Sequence, residues 1–402
     1  MTSVWRTSGW VLLGAALILA LSLGIRHGFG LFLAPMSAEF GWGRGVFALA
    51  IALQNLIWGL VQPFAGALAD RFGAGRVVAL GGVLYAVGLG CMGLANSELS
   101  LSLSAGLLIG LGLSGTSFSV ILGVVGRALP AEHRSMGMGI ASAAGSFGQF
   151  AMLPGTLGLI SWLGWSTALL VMGVLVAFIV PLVRMLKDRP LPAQAHDQTL
   201  GQALREACGH SGFWLLALGF FVCGFQVVFI GVHLPSYLVD QHLPASVGTT
   251  VLALIGLFNI FGTYIAGWLG GRMSKPRLLT ALYLMRAVVI VLFLWFPVTT
   301  VSACLFGMAM GLLWLSTVPL TNGTVATLFG VRNLSMLGGI VFLFHQLGAF
   351  LGGWLGGLVY DQTGSYDLVW QLSIALSLLA GALNWPVRER PIARLQAQGA
   401  SA

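Results

Sequence analysis

Among the basic side chains inside long hydrophobic runs of this chain, three are candidates for chemistry: Arg26, Arg286 and His345. A buried guanidinium can grip a carboxylate through paired N–H donors. An imidazole, with an unperturbed pKa of about 6.5, can carry a proton near neutral pH. The eleven carboxylates offer these cations no partner. Glu39, Asp70, Glu98, Glu132, Asp188, Asp197, Glu206, Asp240, Asp361, Asp367 and Glu389 all lie at or beyond the ends of the apolar runs. A cation held in an apolar interior without an internal counter-charge is suited to an anionic ligand. The competing roles are structural: Arg26 snorkelling to headgroups, Arg286 clamping neighbouring helices, His345 hydrogen-bonded across to another span. Asn322 and Gln226 are candidate ligand contacts, and with Gln54, Asn55, Asn259 and Thr263 they supply uncharged hydrogen-bonding groups in the same runs. Such groups line a polar cavity or join helices.

The elements that carry these residues read as membrane spans. With 57% apolar and 7% charged residues and a mean hydropathy of +0.94, the chain departs from soluble composition. A helix needs roughly 20 apolar residues to cross the hydrocarbon core. Twelve segments qualify, spans 1 to 12, centred in 9–35, 46–68, 77–96, 101–127, 136–160, 165–186, 213–238, 247–270, 278–297, 301–328, 335–360 and 366–386. The cuts at 163–165 and 298–300 are the tightest. By helical rise, Arg26 lies roughly 24 Å into span 1, Arg286 roughly 12 Å into span 9 and His345 roughly 15 Å into span 11. The first apolar run is too long for a cleavable signal peptide, and none is expected.

Charge sets the orientation. Sixteen of the 19 Lys and Arg residues fall on one face if both ends are cytoplasmic; only Arg44 falls in an outer loop, and Arg26 and Arg286 within spans. That asymmetry follows the positive-inside rule and argues against reading the net charge of +8 as a nucleic-acid footprint. The longest polar stretch, Lys187 to Ser211, predicts a division into 1–186, an N-terminal six-helix bundle, 187–212, a cytoplasmic linker, and 213–402, a C-terminal six-helix bundle with a short tail. Leu200 to Cys208 reads as a short helix on the membrane surface. Cys91, Cys208, Cys223 and Cys304 show no CxxC spacing and read as packing residues, so neither metal nor cofactor is expected. No catalytic cluster and no phosphate-binding GxxxxGKS/T occurs, which argues against an enzyme and against ATP as direct energy source.

The two halves repeat each other. Gly66, Leu68, Arg71 and Arg76 recur 201 positions later as Gly267, Leu269, Arg272 and Arg277. Ser135, Met136, Gly139, Ile140, Gly148 and Phe150 recur 200 positions later. Duplicated bundles of membrane helices are the mark of alternating-access carriers.

The segment Gly66-Ala-Leu-Ala-Asp70-Arg71-Phe-Gly73-Ala-Gly-Arg76 resembles the loop motif between helices 2 and 3 of the major facilitator superfamily. The resemblance implies that superfamily's all-α fold of twelve transmembrane helices in two pseudo-symmetric six-helix bundles. It also implies that Gly66, Asp70, Arg71, Gly73 and Arg76 form a cytoplasmic gate, with the acid on neighbouring basic side chains and the positive end of span 11. The second copy carries Gly271 in place of the acid, so the latch is expected to be asymmetric. Arg26-His27-Gly28-Phe29-Gly30-Leu31-Phe32 in span 1 and Arg134 through Gly148 in span 5 resemble the monocarboxylate/oxalate porter branch. Two departures stand out: the signature before span 1 is reduced to Ser8-Gly9-Trp10, and Thr263 stands where the branch has a span 8 arginine.

The reading that follows is a secondary transporter of the cytoplasmic (inner) membrane, working as a monomer. It would move a small organic anion, foremost a monocarboxylate, by proton symport or anion exchange. Arg26, Arg286, His345, Asn322 and Gln226 would contact substrate, with His345 the proton carrier. The alternative is proton-coupled efflux of hydrophobic or zwitterionic compounds by the same fold, with both arginines structural.

Overall fold

The computed structural model describes residues 2–42, 44–186 and 198–400. Lys187, Asp188, Arg189, His196 and Asp197 of the expected linker lie outside the described residues, as does most of the boundary drawn there between the halves. Among the described residues every regular element is helical. Eleven helical segments are long and apolar enough to cross a membrane. One of them, Ala131–Leu186, has 56 residues, about 84 Å of helix against a core of about 30 Å. It is broken at Gly164, whose φ of 78° and ψ of 164° suit glycine. The break falls where the sequence places the tight cut between spans 5 and 6, and the segment is long enough for two crossings.

Spans 4 and 10 are interrupted in mid-course. In span 4, Ile109–Thr116 ends at Ser117, which is extended (φ −106°, ψ −170°), before Phe118–Ala128 resumes. In span 10, Thr300–Leu313 gives way to Trp314, Leu315 and Ser316 before Thr317–Phe329. Neither interruption contains proline. A broken helix leaves carbonyls and N–H groups to be satisfied by side chains, because lipid offers no partner.

Within the first half, span 1 packs along span 5 and span 3 along spans 4 and 6; within the second, span 7 packs along span 11, span 8 along span 10 and span 9 along span 12. Small residues set the closest crossings. A Cβ on Gly148 would stand 2.1 Å from the Ala20 carbonyl oxygen, and one on its repeat mate Gly348 would stand 1.9 Å from that of Phe221.

The halves meet where span 2 lies against span 11 and span 5 against span 8. A Cβ on Gly139 would stand 2.7 Å from Gly267 Cα, and one on Gly66 would stand 2.2 Å from the Ser335 carbonyl oxygen. These contacts run from the span ends on the side that carries the linker up to the level of Asn55, Ser146, Asn259 and Gln346. Beyond that level Gly28, Gly352 and Gly356 find close neighbours only in their own half. The tight seam therefore belongs to the linker side. On that side Leu200–Cys208 is helical, capped by Thr199 and Gln202, and Glu206 ties it to Arg394 at 3.3 Å.

Candidate functional site

The site is built where span 1 ends against span 2 and the second half arrives on span 11. Arg26, half-buried one residue from the end of the helix Thr2–His27, donates through Nη2 to Asn55 Oδ1. Its guanidinium carbon lies 4.9 Å from the centre of the Trp58 ring. Its Nε is buried and meets no acceptor. No carboxylate reaches it among the described residues. Trp58 is fixed from beneath by the span 4 break: its Nε1 donates to Ser117 Oγ at 2.8 Å and to Gln62 Oε1 at 2.9 Å, while Gln62 Nε2 donates to the Ser114 carbonyl at 2.8 Å. The break in span 4 thus positions the aromatic platform under Arg26.

The second half contributes Phe342, His345 and Gln346. Phe342 packs on Trp58 at 4.9 Å between centroids, and the His345 ring lies nearly parallel to Phe342 at 5.4 Å. Gln346 Nε2 donates across the seam to the Asn55 carbonyl at 3.3 Å. With the amide nitrogen so used, Gln346 Oε1 is the acceptor for His345 Nδ1 at 3.2 Å. That assignment puts the proton on Nδ1 and leaves Nε2, which has no hydrogen-bond partner, as a bare acceptor. Arg26, Asn55, Gln346 and His345 form one polar chain from the first half to the second.

Arg286 is not part of that chain. Its side chain is 0% exposed and lines no space open to a solute. It donates to the carbonyls of Leu313, at 2.6 Å, and Trp314, both freed by the span 10 break, and to Gln226 Oε1 at 3.2 Å. Gln226 spends its amide nitrogen on span 12, at Ser373 O (2.9 Å) and Ser377 Oγ (2.5 Å). The expectation that both arginines face one cavity, with Gln226 beside them, is therefore corrected: Arg286 and Gln226 lock the second half together. Asn322 is buried in span 10, with Nδ2 on the Val318 carbonyl at 3.1 Å and Oδ1 unpartnered, against Gly338 of span 11.

The repeat explains where Arg286 sits. In the first half Ser22 meets Thr116 at 2.9 Å and Tyr85 OH donates to the Ser22 carbonyl at 3.1 Å. Shifted by 201, the same three positions are Cys223, Thr317 and Arg286. Cys223 Sγ meets Thr317 Oγ1 at 3.2 Å and Arg286 Nη2 approaches Cys223 Sγ at 3.6 Å. Each trio braces the break in its own half.

The gate motif lies at the linker-side end of span 2. Asp70 pairs with Arg127 at 2.5 Å and accepts from the backbone N–H of Ser335 (3.2 Å) and Met336 (2.8 Å), in the first turn of span 11. Arg127 Nη1 also reaches Ser335 Oγ at 3.3 Å. The basic partner of Asp70 is thus Arg127 of span 4; Arg71 is exposed and packs on Phe72. Gly73, at φ 89°, turns the chain into span 3, and Gly66 lets span 11 approach; Arg76 is exposed. Trp58 and Arg127 were not singled out from sequence, and Asn55 was named only among the uncharged hydrogen-bonding groups of the spans. Depth was the available signal for Asn55, which lies about as far from the outer end of span 2 as Arg26 lies from that of span 1.

Residues 11–325 match the sequence profile of the Major Facilitator Superfamily. The chain belongs to the Major Facilitator Superfamily. Relatives within this superfamily span nearly the whole chain. An uncharacterized MFS-type transporter, YcxA of Bacillus subtilis (strain 168), is 26% identical over 397 residues, covering 93% of this chain and 94% of its own. Human monocarboxylate transporter 11 is 28% identical over 396 residues, 92% of this chain and 81% of its own. Bovine monocarboxylate transporter 13 is 28% identical over 388 residues, with 93% and 88% covered. The resemblance to the monocarboxylate branch is thereby found in whole-chain relatives. Among solved structures, the Escherichia coli fucose:proton symporter FucP superposes with a TM-score of 0.72 at 15% identity, covering 93% of this chain and 98% of that one. This likeness speaks for the superfamily fold.

Proposed function

We propose that this superfamily member is a monomeric secondary transporter of a small organic anion, foremost a monocarboxylate, moved with a proton or by exchange. The observation that carries the reading is Arg26: a guanidinium at the seam between the halves, with an unused Nε and, among the described residues, no carboxylate beside it. A charge at such depth costs on the order of 2.5–3.5 kcal/mol even on lenient scales. An anion arriving at Arg26 offsets that cost and brings acceptors for the idle donor. His345 supplies the coupling. A proton on Nε2 creates a second cation on the same polar chain, so proton and anion each strengthen the binding of the other. The whole-chain likeness to proteins named monocarboxylate transporters supports the same substrate class. With the basic linker side in the cytoplasm of the inner membrane, the tight seam closes the inner face and the site is presented outward.

The test is uptake of labelled monocarboxylates into proteoliposomes under an inward proton gradient, comparing the parent with Arg26→Gln. Uptake by the parent and its loss in the variant, with folding retained, is expected. An acid taken up equally well by the variant, or no uptake of any acid by the parent, overturns the anion reading.

A further inference from the structure

A groove on the outer wall of the second half has no part in the site above. It lies between spans 8, 9 and 10, encloses about 220 Å³ and is lined by Ile265, Leu269, Leu278, Leu282, Leu312 and Leu320 among others. Ser316 is the single polar side chain along it. It opens sideways, towards lipid: Ile265, Met285 and Leu312 on its wall are 47%, 53% and 38% exposed. It starts at Leu269, next to the end of the helix Ala245–Gly270, and reaches Gly262, about 10 Å further in.

Two arginines follow or precede its linker-side residues closely in sequence. Arg272 follows Leu269 by three residues; its guanidinium carbon lies 4.0 Å over the Trp268 ring and Nη1 reaches the Trp268 carbonyl at 3.4 Å. Arg277 directly precedes Leu278. Both are exposed, and neither meets a carboxylate among the described residues. Their neighbour Lys275 is already neutralised by Glu389. The loop has no acid of its own, because Gly271 stands where the first repeat has Asp70.

An apolar groove alone selects nothing in a bilayer, since lipid tails are as apolar as its wall. Charge at the mouth does select. We infer that the groove seats one acyl chain of an anionic phospholipid from the linker-side leaflet, with the phosphate held by Arg272 and Arg277. A cation near the surface favours anionic over zwitterionic lipid by about fivefold, so the two together give about 25-fold. The inner end of the groove touches Leu313 and Ser316, at the span 10 break that Arg286 braces from within. A seated chain would cover that break from the lipid side. None of this depends on what the protein carries.

The experiment offers delipidated protein an equimolar mixture of phosphatidylglycerol and phosphatidylcholine with identical chains, and counts retained lipids by native mass spectrometry. The parent should retain one phosphatidylglycerol molecule preferentially. Arg272→Gln/Arg277→Gln should lose that preference by about 25-fold, and Ile265→Trp, which fills the groove but keeps both charges, should also release the lipid. Arg388→Gln/Arg390→Gln, which removes two exposed arginines elsewhere on the linker side, should change nothing. Equal retention of both lipids by the parent, equal loss in the control pair, or no loss in either groove variant overturns the inference.

Discussion

Replacing Asp70 with asparagine should loosen the linker-side seam by an amount the structure lets one work out. Asp70 caps span 11 from the opposite half: Ser335 and Met336 donate their backbone N–H groups to it, while the helix's own N-cap residue, Asn333, makes no side-chain capping bond. These two bonds exist only while the halves are together. Its pairing with Arg127 lies within one half and does not require the halves to be together, so it is left out of the sum. Asparagine keeps an acceptor and loses the charge. Hydrogen bonds to a charged group contribute roughly 1 kcal/mol more than neutral ones, and the helix dipole adds about 0.3–1 kcal/mol. Two bonds and the dipole come to about 2.5 kcal/mol, or about 60-fold in the closed-to-open equilibrium. Spin labels at Arg76→Cys and Arg388→Cys, both exposed on the linker side, would report the separation by double electron–electron resonance. Cys91, Cys208 and Cys304 would be changed to serine and the buried Cys223 kept. The longer-distance population should grow in Asp70→Asn and stay unchanged in Arg71→Gln, whose side chain packs on Phe72. An unchanged distance distribution in Asp70→Asn, or the same shift in Arg71→Gln, would refute the reasoning.

Arg286→Met should destabilise by about 3–6 kcal/mol, since the Leu313 and Trp314 carbonyls and Gln226 lose a charged donor in a dry interior; thermal unfolding followed by tryptophan fluorescence should fall by several degrees, whereas Arg26→Gln should leave it nearly unchanged. Gly66→Ala and Gly148→Ala should separate the seam from the bundle: the first brings a Cβ 2.2 Å from Ser335 O in the other half and should open the linker side, while the second brings one 2.1 Å from Ala20 O in the same half and should cost about 1–3 kcal/mol of stability. His345→Gln removes the acceptor at Nε2, and uptake by this variant should no longer rise when a proton gradient is imposed; a persisting rise would move the proton elsewhere.

The spans were legible because burial in lipid demands long apolar runs, and the break at Gly164 was legible because only a tight, glycine-marked cut could separate two crossings. The contact of Asp70 with the first turn of span 11 was legible. The basic partner of that acid was not: Arg127 meets Asp70 through a crossing of spans 2 and 4 that residues 57 apart do not advertise. Arg286 misled for a related reason. A lone arginine in an apolar run reads as a ligand, and the span 10 break that occupies it, Trp314-Leu315-Ser316, has no proline or glycine to announce it. The matching joint in the first half uses Tyr85. The repeat preserves the place and the bracing, not the residue type, so a search for identical letters at an offset of 201 passes over it.

The bare Gly139–Gly267 crossing has a bearing on speed. Where side chains interlock, sliding one surface over another requires each to change rotamer in turn. Here main chain faces main chain, with nothing to unmesh, so the lobes can roll apart without climbing a series of small steric steps. Resistance to that rolling comes from contacts elsewhere along the seam, the Trp58–Phe342 ring pair and the polar contacts at Asp70, Asn55 and Asn259, each of which a single substitution can weaken.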